Sequence, residues 1–299
     1  MDSYIYASSL SSSIIIAVLS PVAVVGNALI LVAIWRRNFQ RTPFKVLLSG
    51  LAFTDFSTGL IAQPFTAFTE LRYLALDCRN LSNRPLSLIT MDAVGDASAT
   101  YFISSTATII TLIGVERWLH MTGRSLVTSP RGYFIVIVLL AIPIPVVVFR
   151  AIETIKGNPA FEFNTTIMAA ALLCLSTTSV AYFKVLLIIR RHRLQVRADE
   201  RSQHFGQAAI NLEKYKKSVS TILCVLALFY GCFVPFIIST GMYVYVGGDE
   251  SRGVSVALDV TTTLLFLSSS LNPCLLLWRM NDVRSGVKQL FCSEHLTEM

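Results

Sequence analysis

Charge is scarce in this 299-residue chain. Asp, Glu, Lys and Arg together make up 14%, against about 25% in an ordinary soluble domain. Histidine occurs four times, scattered at His120, His192, His204 and His295, so there is no His-rich metal set. No Gly-rich phosphate loop and no nucleophile–base constellation is present, which speaks against an enzyme. Met1 to Ser13 contains no Lys or Arg and so lacks the positive n-region of a cleaved signal peptide. No internal repeat or low-complexity tract stands out.

What fills the chain instead is apolar sequence, 54% hydrophobic residues in long runs cut by short polar stretches. Runs long enough to cross a bilayer, roughly 20 residues, fall at 14–35, 46–69, 91–118, 132–150, 165–189, 217–246 and 254–278. Only helices and closed barrels satisfy every backbone polar group in lipid. The runs therefore predict an all-α, integral membrane bundle of seven transmembrane helices over 14–278. A short extracellular N-terminus, 1–13, precedes it. An amphipathic helix and cytoplasmic tail, 279–299, follow.

The net charge of +7 might suggest nucleic acid, but its distribution reads as topology. With the N-terminus outside, the inner segments hold Arg36, Arg37, Arg41 and Lys45, then Arg117, Arg124 and Arg131. Arg190 to Arg201, Lys214 to Lys217, Arg279, Arg284 and Lys288 continue that side. The outer side holds only Arg72, Arg79, Arg84, Arg150, Lys156 and Arg252. This is the positive-inside pattern, with membrane lipids as partner and no nucleic acid. Two N-glycosylation sequons, at Asn80 and Asn164, both fall on the outer side. In the tail, Val283, Val287, Leu290 and Phe291 recur at helical spacing with Arg284 and Lys288 on another face. That is the pattern of a helix lying on the inner surface. Cys292 follows as a candidate palmitoylation site; the alternative is a frayed tail with a free thiol.

Specific residues narrow the class. Gly26-Asn27 lies in the first run, Leu51-Ala52-Phe53-Thr54-Asp55 in the second, and Glu116-Arg117-Trp118 closes the third. Phe229 and Cys232-Phe233-Val234-Pro235 lie in the sixth, and Asn272-Pro273 in the seventh. In this order and at these depths the set resembles the rhodopsin-like family of G protein-coupled receptors across essentially the whole chain. The resemblance implies a receptor that activates heterotrimeric G proteins at the plasma membrane, with its C-terminus cytoplasmic.

An ionisable residue in mid-membrane is a functional site by default. The resemblance gives Asp55 the neighbours Asn27, Thr106 and Asn272 and a bound sodium ion; the alternative is a protonated Asp55 hydrogen-bonded to Asn272. It makes Arg117, with Glu116 beside it, the G-protein contact, and matches Tyr182 to the family's inner tyrosine. Pro235 kinks the sixth span by removing a backbone hydrogen bond, and Phe229, Pro235 and Pro273 belong to the switch. There are departures. Phe233 replaces the usual Trp, Leu276 the usual Tyr, and Tyr215 stands where an acid usually locks Arg117, so high basal activity is expected.

The outer face departs further. Asp92 occupies the position of the family's span-three cysteine and the 151–164 segment has no Cys, so the usual disulfide cannot form; Cys78 is an odd outer thiol. With the missing span-five Pro, this resembles the melanocortin receptors and their lipid-receptor relatives. Asp92 and Asp96, four apart, share one helix face. The resemblance suggests that they hold calcium and a basic peptide, with Phe65 standing where that branch has a third acid and Glu70 a substitute further out. The other reading is two solvated carboxylates. Ligand candidates are Asp92, Asp96, Phe65, Ala99, Phe233, Phe236 and Asp259. Leu265, where opsins carry Lys, excludes retinal; Ala99, where amine receptors carry Asp, argues against a simple monoamine. The competing readings are a lipid-responsive receptor, a non-signalling scaffold, and, for want of inverted repeats, more distantly a transporter.

Overall fold

The computed structural model describes residues 3–35, 42–76, 86–124, 129–156, 161–198, 205–246 and 252–294. Every regular element among them is helical. The helices are α1 (Ser3–Trp35), α2 (Pro43–Ser57), α3 (Gln63–Leu76), α4 (Leu86–Met121), α5 (Ser129–Ala141), α6 (Ile144–Lys156), α7 (Phe161–Ala198), α8 (Phe205–Val246), α9 (Arg252–Arg279) and α10 (Asn281–Glu294). Seven membrane-length apolar spans result, with α2–α3 and α5–α6 each forming one. The outward faces carry Phe134, Ile137, Val148 and Phe149, all exposed, as lipid requires.

Local chemistry sets several ends. Thr42 caps α2, its hydroxyl accepting from the Lys45 N–H, with Pro43 in the first turn, where its missing N–H costs nothing. At the end of α4, Gly123 takes φ 73°, Arg124 N–H donates to Leu119 C=O at 3.0 Å and Gly123 N–H to His120 C=O at 3.2 Å. That is the Schellman closure, which favours glycine. Pro143 and Pro145 break the fourth span between α5 and α6, and the Tyr101 hydroxyl donates to the Leu140 carbonyl beside the break at 2.8 Å.

The helices outrun the apolar segments. α1 begins at Ser3 rather than 14, and α8 at Phe205 rather than 217. The 151–164 stretch, expected as a loop, is helical to Lys156 and again from Phe161. Hydropathy marks where a helix crosses lipid, not where it ends.

Between α2 and α3 lies a π turn, Thr58–Ala62. The Ser20 hydroxyl of α1 donates to its Gly59 carbonyl at 2.8 Å. A Cβ at Gly59 would lie 2.7 Å from Ala23 Cβ, so glycine is what lets α1 approach here. A π turn holds one more residue than an α turn, which renumbers everything beyond it.

α1 and α9 form a seam down the bundle. The Ser270 hydroxyl donates to the Leu19 carbonyl at 3.1 Å and Asn27 Nδ2 to the Ser269 carbonyl at 3.1 Å. A Cβ on Gly26 would lie 2.6 Å from Pro273 Cγ. α10 turns back along α1: Val283 and Val287 are buried against the bundle, and Lys45 pairs with Asp282 at 3.3 Å. The apolar face read as lipid-facing thus partly faces protein.

Candidate functional site

Three layers carry the polar residues. In mid-bundle, Asp55 is fully buried and accepts from Asn272 Nδ2 at 2.7 Å. Thr106 donates to Thr54, next to Asp55, at 3.0 Å. Asn27 donates to the Ala23 and Ser269 carbonyls. So Asn272 touches Asp55 directly, while Asn27 and Thr106 flank it at one remove. Asp55 Oδ1, Asn27 Oδ1 and Ser105 Oγ are buried oxygens with no hydrogen-bond partner among the described residues. A carboxylate with carbonyl and hydroxyl oxygens is the donor chemistry a hard cation takes. In α8, Phe229 packs on Phe233 with ring centroids 4.0 Å apart, and Phe233 stands two residues before Pro235, which lies inside the helix.

At the end of the bundle where α4 closes, Glu116 is buried and its Oε2 lies 4.0 Å from Arg117 Nε. The Arg117 guanidinium lies 3.6 Å over the Phe44 ring, a favourable cation–π contact. Tyr182 is buried and its ring fills the space a side chain at Gly114 would take, 2.8 Å away. Arg279 of α9 donates to Ser220 of α8. The side chains of Tyr215 and Cys292 lie outside the described residues, as do the Asn164 side chain and the whole of Cys78 and Asn80.

At the end of the bundle that holds the start of α1, a cavity of about 730 Å³ opens between the helices. Asp92, Asp96, Ala99, Phe233, Phe236 and Asp259, all candidates from sequence, line it. Along α4 the lining runs from Asp92 to Thr108, about 24 Å at 1.5 Å per residue. Among the described residues its lining includes the acids Glu70, Asp92, Asp96 and Asp259 and one base, Arg150. Lower down, Ile103, Phe233, Leu265 and Phe266 alternate with Thr100 and Ser104.

Phe65 is a correction. It is not among the lining residues; Thr66, Thr69, Glu70 and Tyr73 present the inner face of α3 instead. Phe65 was placed by the family resemblance; in the structure its neighbour Thr66 lines the cavity instead. Phe65 packs beside Gly95, where an added Cβ would lie 3.5 Å from its own.

Arg150 was not anticipated as a site residue. Its Nη2 lies 3.1 Å from Asp96 Oδ2. Among the described residues no three His, Cys, Asp or Glu side chains group to hold a metal. Asp96 is thus paired to a guanidinium, with no third such side chain grouped with it among the described residues. Ser9 and Ser12 were also missed: Ser9 Oγ donates to Asp259 Oδ2 at 2.8 Å and Ser12 Oγ to the Asp259 carbonyl at 3.1 Å. The run Ser8-Ser9-Leu10-Ser11-Ser12-Ser13 was the available signal.

A helical bundle with seven crossings, a cavity at one end and a buried acid in mid-bundle defines a membrane receptor of the seven-helix type. The family profile "7 transmembrane receptor (rhodopsin family)" matches residues 26–276, and the chain belongs to that family, whose members are receptors rather than enzymes. It is 22% identical to the human "Probable G-protein coupled receptor 45", over 94% of this chain and 82% of that one. It is 26% identical to the histamine H2 receptor of Cavia porcellus, over 98% and 82%. The high-affinity lysophosphatidic acid receptor of Xenopus laevis is 21% identical, over 92% and 80%.

Proposed function

We propose that this receptor sits in the plasma membrane with its N-terminus outside, takes an extracellular ligand bearing a positive charge, and activates a heterotrimeric G protein. The observation that carries the ligand class is the charge of the described lining residues, four carboxylates against one guanidinium. Such a lining attracts cations and repels anions by several kT when water is partly excluded. A basic peptide presents suitable groups.

Two relatives frame the alternatives. A small amine such as histamine needs its counter-charge close by, yet the span-three position at mid-depth is Ala99. A phosphate lipid such as lysophosphatidic acid suits the apolar shaft but meets acidic residues in the lining, with Arg150 already paired to Asp96. A neutral or cationic lipid is the second reading, favoured by that same shaft.

Coupling is assigned to the inner end, where Glu116, Arg117 and Tyr182 meet beneath the aromatic stack. Pro235 lets the α8 segment below it swing as a lever. Sodium held by Asp55 and its oxygen neighbours would favour the resting arrangement and offset the desolvation of the carboxylate. The deciding experiment is ligand-free and peptide-stimulated G-protein activation in cells, wild type against Arg117→Ala at matched surface level. A signal in wild type lost in the variant supports coupling; equal signals in both overturn it.

A further inference from the structure

We propose that Lys184 and Trp118 form a docking site for one anionic phospholipid, on the lipid-facing side of the seam where α4 packs on α7. The lipid's phosphate pairs with Lys184, and its acyl chains lie along the apolar outer face of α7. The site is separate from the cavity. It uses the proposed orientation only to say which leaflet supplies the lipid, the cytoplasmic one, where anionic lipids collect.

Three observations lead there. First, Lys184 is a cation inside a span. It belongs to the apolar stretch Thr166–Arg191, seven residues before its end, or about 10 Å at 1.5 Å per residue. Lys184 is exposed, and so are its neighbours Val180, Phe183 and Leu187. This face of α7 meets lipid, where an ammonium is costly and its partner has to be found.

Second, the bundle supplies a ring but no carboxylate. Lys184 Nζ lies 4.1 Å from the centroid of the Trp118 ring. A ring face attracts a cation without neutralising it. The ion pairs among the described residues do not include Lys184. The remaining countercharge is left to the surroundings, and in a membrane that is a lipid phosphate.

Third, the site offers more than one donor. The indole N–H of Trp118 is a donor only, and among the described residues no acceptor takes it. An ammonium beside an indole N–H suits the paired oxygens of a phosphate. Arg191 is exposed as well. It stands two turns beyond Lys184 on the same face of α7, toward the headgroups. Basic positions between transmembrane helices are where anionic headgroups settle.

The chain has three tryptophans, Trp35, Trp118 and Trp278, which makes a local optical test available. Trp35 and Trp278 are both exposed, so phenylalanine is tolerated at each. Full-length receptor carrying Trp35→Phe and Trp278→Phe keeps Trp118 as its sole fluorophore. It is placed in phosphatidylcholine nanodiscs containing a rising fraction of dibrominated phosphatidylserine or dibrominated phosphatidylcholine, whose bromines quench an indole on contact. Both leaflets carry the probe, so the result does not depend on orientation.

Trp118 should be quenched at about fivefold lower fractions of the phosphatidylserine probe, the preference one lysine near an anionic surface supplies. Lys184→Gln should bring the two probes to parity, and Lys184→Arg should keep the preference. The control keeps Trp278 alone. Trp278 also neighbours a cation, but Arg279 donates to Ser220 within the bundle, and parity is expected there. Glycerophosphoserine, the headgroup without chains, should not relieve the quenching. Native mass spectrometry gives a second readout on the chain without tryptophan changes: one retained phosphatidylserine, lost in Lys184→Gln. Parity at Trp118, a preference that survives Lys184→Gln, or an equal preference at Trp278 overturns the site. Relief by glycerophosphoserine overturns the lipid as its occupant.

Discussion

Gly26→Ala tests whether the α1–α9 seam is as tight as it is drawn. The added Cβ would sit 2.6 Å from Pro273 Cγ and 3.0 Å from Pro273 Cβ, whereas carbon atoms pack best at about 3.5–4.0 Å. The proline ring cannot rotate away, so the helices must separate locally by about 1 Å to reach that spacing. One residue on, Asn27 Nδ2 donates to the Ser269 carbonyl at 3.1 Å; the same separation takes that bond beyond about 3.5 Å, where it no longer counts as one. Overpacking costs about 1–3 kcal/mol and the lost hydrogen bond about 1 kcal/mol. Together these should lower the melting temperature of the solubilised receptor by roughly 5–10 °C. The assay is thermal unfolding followed by a thiol-reactive fluorogenic dye, which reports exposure of the buried Cys232. Gly231→Ala is the control, since a Cβ there meets nothing within 4 Å and alanine favours the helix by about 1 kcal/mol. If Gly26→Ala melts no lower than Gly231→Ala, the seam is looser than described and the reasoning fails.

Sodium should raise the wild-type melting temperature over potassium by roughly 5 °C if the site is well populated, through selective binding to the folded state; Asp55→Asn should abolish the difference, and a salt response retained in that variant would discount the site. Deleting Leu60, which is exposed within the π turn, should return that turn to α geometry with the outer half still facing the cavity. Inserting Ala after Leu60 should instead rotate α3 by about 100°; cell-surface levels near wild type for the deletion and low for the insertion are expected, and the reverse order would refute the register argument. Glycosidase treatment should sharpen the electrophoretic mobility of wild type, and Asn80→Gln with Asn164→Gln should remove the effect. Persistence of the shift in the double variant would show that neither sequon is the modified site.

What could be read from sequence alone was what a single helix or a single buried group dictates. Seven apolar runs became seven spans because lipid leaves the backbone few options. Asp55 and Asn272, each an expensive group in mid-membrane, had to find a partner, and they meet at 2.7 Å. The readings that failed or were missed depend on relations between helices. Phe65, placed by resemblance, is not in the cavity lining while Thr66 is, and nothing in Thr-Gly-Leu-Ile-Ala announces the π turn that precedes it. Arg150 was missed as the partner of Asp96 because it lies 54 positions away and looked like one more outer-side charge.

The serines of α1 are the instructive case. Read as part of a short extracellular N-terminus, Ser9 and Ser12 form the face by which α1 grips α9 at Asp259 and Thr263. A polar residue beyond an apolar run has two ways to satisfy its hydroxyl, water or a neighbouring helix. The i, i+3 spacing of Ser9 and Ser12 puts both on one face, which is the signature of the second. Ile5 and Ile16 extend that face at either end, so the stripe that holds Asp259 is continuous with the wall of the cavity. Packing and ligand contact thus draw on the same residues, and a change at Ser9 should perturb both the seam and the cavity wall.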